Sequence, residues 1–119
     1  MASRVTMTLL AILLLIFFST YGPFVKAVNG QNNTWCIARP STEETVLQNN
    51  IDFACSNGVD CSVLAPGQRC SLPNTRLNHA SVVMNLYYSA NGRQPYTCSF
   101  GNSGLITIVD PSYGSCVFP

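Results

Sequence analysis

The sequence predicts a small, disulfide-rich α+β domain: two packed helices, a small two-stranded antiparallel sheet and long bridged loops. Three observations carry this. Six cysteines, at positions 36, 55, 61, 70, 98 and 116, all follow an apolar leader. Two segments place apolar residues at helical spacing, and two short runs towards the end are rich in strand-forming residues.

The leader comes first. Arg4 precedes ten consecutive apolar residues, Leu9 to Phe18, and Ser19, Gly22 and Pro23 then break the run. That is the layout of a secretory signal peptide. Ten helical residues span only about 15 Å, roughly half the hydrocarbon core of a bilayer. Ala27, with Val25 two positions before it, fits the small-residue cleavage pattern, and Thr20 and Gly22 offer an earlier point. The expected division is therefore 1–27 as signal peptide, 28–34 as a flexible lead and 35–119 as a single six-cysteine domain.

Removal of 1–27 takes Arg4 and Lys26 with it. Arg39, Arg69, Arg76 and Arg93 then face Glu43, Glu44, Asp52, Asp60 and Asp110, four against five, for a net charge of −1 and no lysine. Such a domain lacks the basic surface that phosphate backbones and anionic lipids require. No nucleic-acid partner is expected, and a neutral partner fits better. A domain of this size buries a modest fraction of its surface, so covalent staples help. An even cysteine count in an export context reads as three disulfides. Each adds roughly 2–4 kcal/mol, and the sequence alone leaves about 15 pairings open. Zinc needs closer pairs than Cys55 and Cys61, which have five residues between them, so no metal is expected.

In the lead, Asn32, Asn33 and Thr34 form a sequon that permits glycosylation of Asn32. After Pro40, Ser41 and Glu44 have the spacing of a capping box, and a helix is expected from about Thr42 to Cys55 with Val46, Leu47, Ile51 and Ala54 on one side. Asn57-Gly58 is its stop. The stretch from Val59 to Asn74 contains Pro66, Gly67 and Pro73 with two cysteines and reads as a bridged loop. Asn74 is the expected cap of a second helix, about Thr75 to Ala90, closed by Asn91-Gly92. On that helix Asn78, Ser81, Asn85 and Ser89 form one polar stripe, with Tyr88 at its border and Ala80, Val83 and Tyr87 nearly opposite. Tyr96 to Phe100 and Leu105 to Val109 are the expected strands. The chain ends three residues after Cys116 without an apolar tail, so no membrane anchor is expected in the mature form.

The chemistry for catalysis is thin. Glu43 and Glu44 are neighbours on one helix and point apart, which suits helix-end electrostatics better than an acid pair. Asp52 and Asp60 read as solvated or turn-stabilising. His79 is the only histidine, and with every cysteine bridged no thiol nucleophile is left for it to activate. It is expected to hold a structural hydrogen bond. Phosphate-binding glycine loops are missing. No catalytic residue, cofactor or enzyme activity is expected. Aromatic rings and amides remain, a combination that suits sugars: pyranose C–H faces lie on rings while hydroxyls take directional partners. Trp35, Phe53 and Tyr87 are assigned to the core, and Tyr88, Tyr96 and Tyr113 divide evenly between core and surface.

Trp35-Cys36, the segment IDFAC ending at Cys55, VDC ending at Cys61, PNT at Pro73 to Thr75, HAS at His79 to Ser81, Tyr87-Tyr88, CSFG from Cys98 and DPSYGSC from Asp110 to Cys116 together resemble the plant X-eight domain, carbohydrate-binding module family 43. The likeness runs from Trp35 to Phe118. It implies the fold given above, with Cys36 joined to Cys98, Cys55 to Cys61 and Cys70 to Cys116. It also implies non-catalytic binding of β-1,3-glucan (callose) in the plant cell wall, as in the short secreted, pollen-allergen-like members. The glucanase activity found in the family belongs to a separate domain. Ser71, Val82 and Met84 stand where aromatics are common in the family, and Ser99 where aspartate is frequent. The residues expected to contact the sugar are Tyr88, Asn78 and Asn85, with Tyr96 and Tyr113 next, in a secreted monomer. The alternative is a cell-wall structural or protein-interaction module on the same scaffold with weak or no glucan affinity.

Overall fold

The computed structural model describes residues 33–119. The expected signal peptide, its cleavage point and Asn32 lie outside them. The elements are β1 (Trp35–Ala38), α1 (Glu44–Ser56), α2 (Arg76–Ala90) and β2 (Gly104–Thr107), with 3-10 turns at Cys61–Leu64, Pro95–Cys98 and Phe100–Asn102. Among the described residues no helix is long and apolar enough to cross a membrane.

Periodicity placed both helices, and local chemistry moved their starts. α1 begins at Glu44, and Glu43 in the capping position makes no side-chain bond. The expected capping box is not formed, because the Thr42 amide bonds back to the Arg39 carbonyl at 3.0 Å and turns Ser41 out of the capping position. α2 is capped by Thr75 rather than Asn74: its Oγ1 accepts from the Asn78 amide at 3.2 Å. Both helices end alike. Asn57 Nδ2 donates to the Phe53 carbonyl and Asn91 Nδ2 to the Tyr87 carbonyl, each at 2.7 Å. A glycine at positive φ follows each of them (Gly58 92°, Gly92 74°).

The antiparallel sheet has two strands as expected, yet one of them is different. β2 pairs with β1, Trp35 opposite Thr107 and Ala38 opposite Gly104. Tyr96 to Phe100 does not extend, and contributes instead to the turns that follow Gln94. Phe100, Gly101 and Asn102 all have positive φ, which no strand tolerates. The same stretch passes so close to β2 that a Cβ on Gly104 would overlap the Cys98 carbonyl.

The middle of the α2 polar stripe, Ser81 and Asn85, faces inward. Asn85 Oδ1 accepts from the Cys36 amide and Ser81 Oγ from the Ala38 amide, each at 3.0 Å. Alternate amides of a strand point to opposite edges, so α2 serves the edge of β1 that β2 leaves free. Buried amides need such partners.

Around this seam lie two cores. Leu47 of α1, Ala80, Met84 and Tyr88 of α2 and Ala38 of β1 surround Cys36 and Cys98. Trp35, Val82 and Phe118 surround Cys70 and Cys116, and Trp35 Nε1 donates to the Phe118 carbonyl at 3.0 Å. Disulfides join Cys36 to Cys98, Cys55 to Cys61 and Cys70 to Cys116. The first and third close loops of 62 and 46 residues, long enough for each to restrict the unfolded chain by about 4 kcal/mol. Val82 and Met84 are buried, so both act in packing and not at the surface.

Candidate carbohydrate-binding surface

The structure separates the five residues expected to contact sugar. Tyr88 is 2% exposed and Asn85 0%. Tyr88 Oη lies 2.7 Å from Thr34 Oγ1, and Asn85 Nδ2 donates to the Pro119 carbonyl at 2.9 Å. Both are corrections to the expected site. Ser81 and Asn85 of the α2 polar stripe are taken up by β1 and Pro119, and Tyr88 at its border by Thr34, so neither Tyr88 nor Asn85 is open to a polysaccharide. Thr34 is also held by the domain through that contact, although it was assigned to the flexible lead.

Asn78 and Tyr113 are brought together. Tyr113 Oη accepts from Asn78 Nδ2 at 2.7 Å and donates to the Leu72 carbonyl at 2.8 Å. These two bonds pin the phenol while 36% of the residue stays exposed. Hollows flank it on both sides. One, of about 350 Å³, has walls from Ile37, Pro40, Leu77, Pro111 and Phe118. The other, of about 330 Å³, is lined by Gln68, Arg69, Ser71 and Gly114. Tyr113 belongs to both, so it forms a ridge in a longer trough. Arg69 is the single charged side chain along it. The walls come from β1, the first turns of α2 and the loops around them, and of their residues Asn78 and Tyr113 were expected beforehand.

Tyr96 lies elsewhere. It is 75% exposed and shares a separate hollow of about 300 Å³ with Asn50, Phe53, Tyr87, Thr97 and Phe100. Phe53, assigned to the core, is 47% exposed. Its ring meets Tyr87 and Phe100 edge to face at centroid distances of 5.2 and 5.9 Å, and the Tyr87 and Phe100 rings are 5.8 Å apart. Phe53 lies in the last turn of α1, outside the apolar stripe that packs on α2, so the expectation that a large aromatic in so small a domain belongs to the core fails for it.

Apart from Arg69, the charged side chains stand away from both surfaces. Glu44 pairs with Arg76 at 3.2 Å on the exposed helix ends, a contact worth well under about 1 kcal/mol. Asp60 is held below its ordinary carboxylate range by hydrogen bonds from Ser62, and Asp110 likewise by Ser112. His79 Nε2 lies 2.8 Å from the Ser71 carbonyl, so that ring nitrogen donates and the histidine fastens the loop before α2. Among the described residues no carboxylate lines the trough or the aromatic hollow.

Fold and surface together define a disulfide-stapled α+β module that presents aromatic hollows with Arg69 as the one charged side chain along them among the described residues. The X8 domain model matches residues 34–105, and the chain belongs to the X8 domain family. It is 40% identical over 97 residues to the major pollen allergen Ole e 10 of Olea europaea, covering 81% of this chain and 79% of that protein. It is 43% identical over 86 residues to a glucan endo-1,3-beta-D-glucosidase of the same plant, covering 72% of this chain but only 19% of the glucosidase. Over 86 residues it is 36% identical to plasmodesmata callose-binding protein 1 of Arabidopsis thaliana, covering 72% of this chain and 43% of that protein. The chain thus spans about a fifth of the length of the glucosidases it matches.

Proposed function

We propose that this protein is a non-catalytic β-1,3-glucan (callose) binding module of the plant cell wall, and that the glucan lies along the Tyr113 trough. The observation that carries the placement is the pinned Tyr113 ring between two hollows. A fixed ring offers a face to a pyranose without losing rotamer freedom on binding. Hollows on both sides suit a chain of sugars better than a single one. The relatives support the ligand: one is named for callose and another for endo-1,3-beta-glucan cleavage. The part of that glucosidase this chain matches is a small fraction of it, and the carboxyl pair that glycoside cleavage requires is missing from the trough. Export through the leader 1–27, glycosylation of Asn32 and a monomeric state belong to the same proposal.

Retention on insoluble β-1,3-glucan, with cellulose as the control, tests it. Selective retention on the β-1,3-glucan is expected; equal or absent retention on both refutes it. One observation favours a second reading, a cell-wall protein-interaction module. Ile108 and Val109 are exposed just beyond β2, whose outer edge carries no strand among the described residues. Recovery of a crosslinked wall protein in place of glucan retention would select it.

A further inference from the structure

The aromatic hollow around Tyr96 shares no residue with the Tyr113 trough. Tyr87 and Asn78 mark the two surfaces on α2. They lie nine residues apart within Arg76–Ala90, which is half a turn around the axis and about 13.5 Å along it. A ligand in one place therefore cannot fill the other from the same side of the helix.

The hollow has the composition of a sugar site in its own right. Phe53, Tyr87 and Phe100 hold one another edge to face, so their orientations are fixed before anything binds. Tyr96 stands at the rim with its ring open to solvent. Asn50 is buried at the wall, with Nδ2 committed to Ser103 Oγ at 2.8 Å, which leaves Oδ1 as the acceptor for a ligand. The phenol groups of Tyr87 and Tyr96 add donors at the rim. No charged side chain lines the hollow. Apolar faces interleaved with neutral hydroxyl and amide groups match a neutral glycan and give an ionic ligand nothing to pair with.

We infer that this hollow is a second β-1,3-glucan site on the opposite side of α2, and that one domain bridges two glucan chains. The inference rests on the proposed glucan binding and adds the second site and the crosslinking that follows from it. Two weak sites on one rigid body hold a polymer far more firmly than either alone.

The test uses the disulfide-intact protein, a β-1,3-linked glucose hexamer and a long soluble β-1,3-glucan. Calorimetry of the unaltered protein should give two hexamers per chain, and mixing with the long glucan should produce turbidity. Tyr96→Ala, at an exposed side chain, should fold normally and bind one hexamer. It should lose the turbidity and be retained on insoluble glucan more weakly than the unaltered protein, through the Tyr113 trough alone. Phe53→Ala should behave in the same way. One hexamer per unaltered chain, or undiminished turbidity with Tyr96→Ala, overturns the second site. Loss of all retention with Tyr96→Ala overturns it too, by making the hollow the single site. If the unaltered protein is not retained on β-1,3-glucan at all, the proposed function itself falls.

Discussion

Replacing Asn85 with leucine separates a sugar contact from a framework bond. Asn85 is buried and joins three parts of the chain: α2, the Cys36 amide of β1 at 3.0 Å and the Pro119 carbonyl at 2.9 Å. Leucine fills a similar volume but offers no acceptor. The Cys36 amide then stays buried and unpaired, at a cost of about 1–3 kcal/mol. The Pro119 carbonyl belongs to an exposed residue, can turn to water and adds little. For a domain of this size 1 kcal/mol moves the melting point by about 4–8 °C, so a fall on the order of 10 °C is expected. Calorimetric melting of the disulfide-intact protein measures it, alongside glucan retention well below the transition. Retention should be unchanged. Unchanged melting with lost retention would refute the reasoning and return Asn85 to the binding surface.

Other outcomes follow from the same geometry. Tyr88→Ala should destabilise the fold by about 3–5 kcal/mol, as truncation of a buried aromatic does, while Tyr88→Phe loses only the bond to Thr34, about 0.5–1.5 kcal/mol; urea unfolding distinguishes the two. Tyr113→Ala should weaken glucan binding about tenfold, the equivalent of roughly 1.4 kcal/mol, and Tyr113→Phe should lose less because the ring remains; titration with the glucose hexamer reads both. Asp60 and Asp110 have folded pKa values below 3.8, so their contribution to stability is present above that pH and is lost as the pH falls through the lowered values. Melting points should therefore hold down to pH 3.8 and decline only below it.

Much of the fold was legible because it rests on periodicity and on punctuation. Leu47, Ile51 and Ala54 mark one face of α1, and Asn57-Gly58 and Asn91-Gly92 mark where each helix stops. The partner of β2 was not legible. β1 is four residues long, directly follows the polar lead, and is defined by contacts with α2 and β2 that lie far away in sequence. Tyr96 to Phe100 has strand-forming composition, but closure against Cys36 and three successive positive φ angles override propensity.

The candidate surface was harder still to read, and the reason is physical. A polar stripe on a helix means solvent only when nothing polar packs against it. Here the free edge of β1 does, and Ser81 and Asn85 answer its amides. Their neighbour Tyr88 is drawn inside with them. Asn78 and Tyr113, the accessible pair in the trough, are joined across 35 positions by one hydrogen bond, and nothing in the local sequence announces that bond. Phe53 shows the converse, an apolar residue on a helix that the core does not reach.

Amide chemical shifts, followed as the β-1,3-linked glucose hexamer is titrated into labelled protein, test the central claim most directly. Saturable shifts at Leu72, Asn78, Tyr113 and Gly114 are the expected result. Binding that leaves those four amides unmoved, or no shift anywhere in the domain, would contradict the assignment of the glucan to the Tyr113 trough.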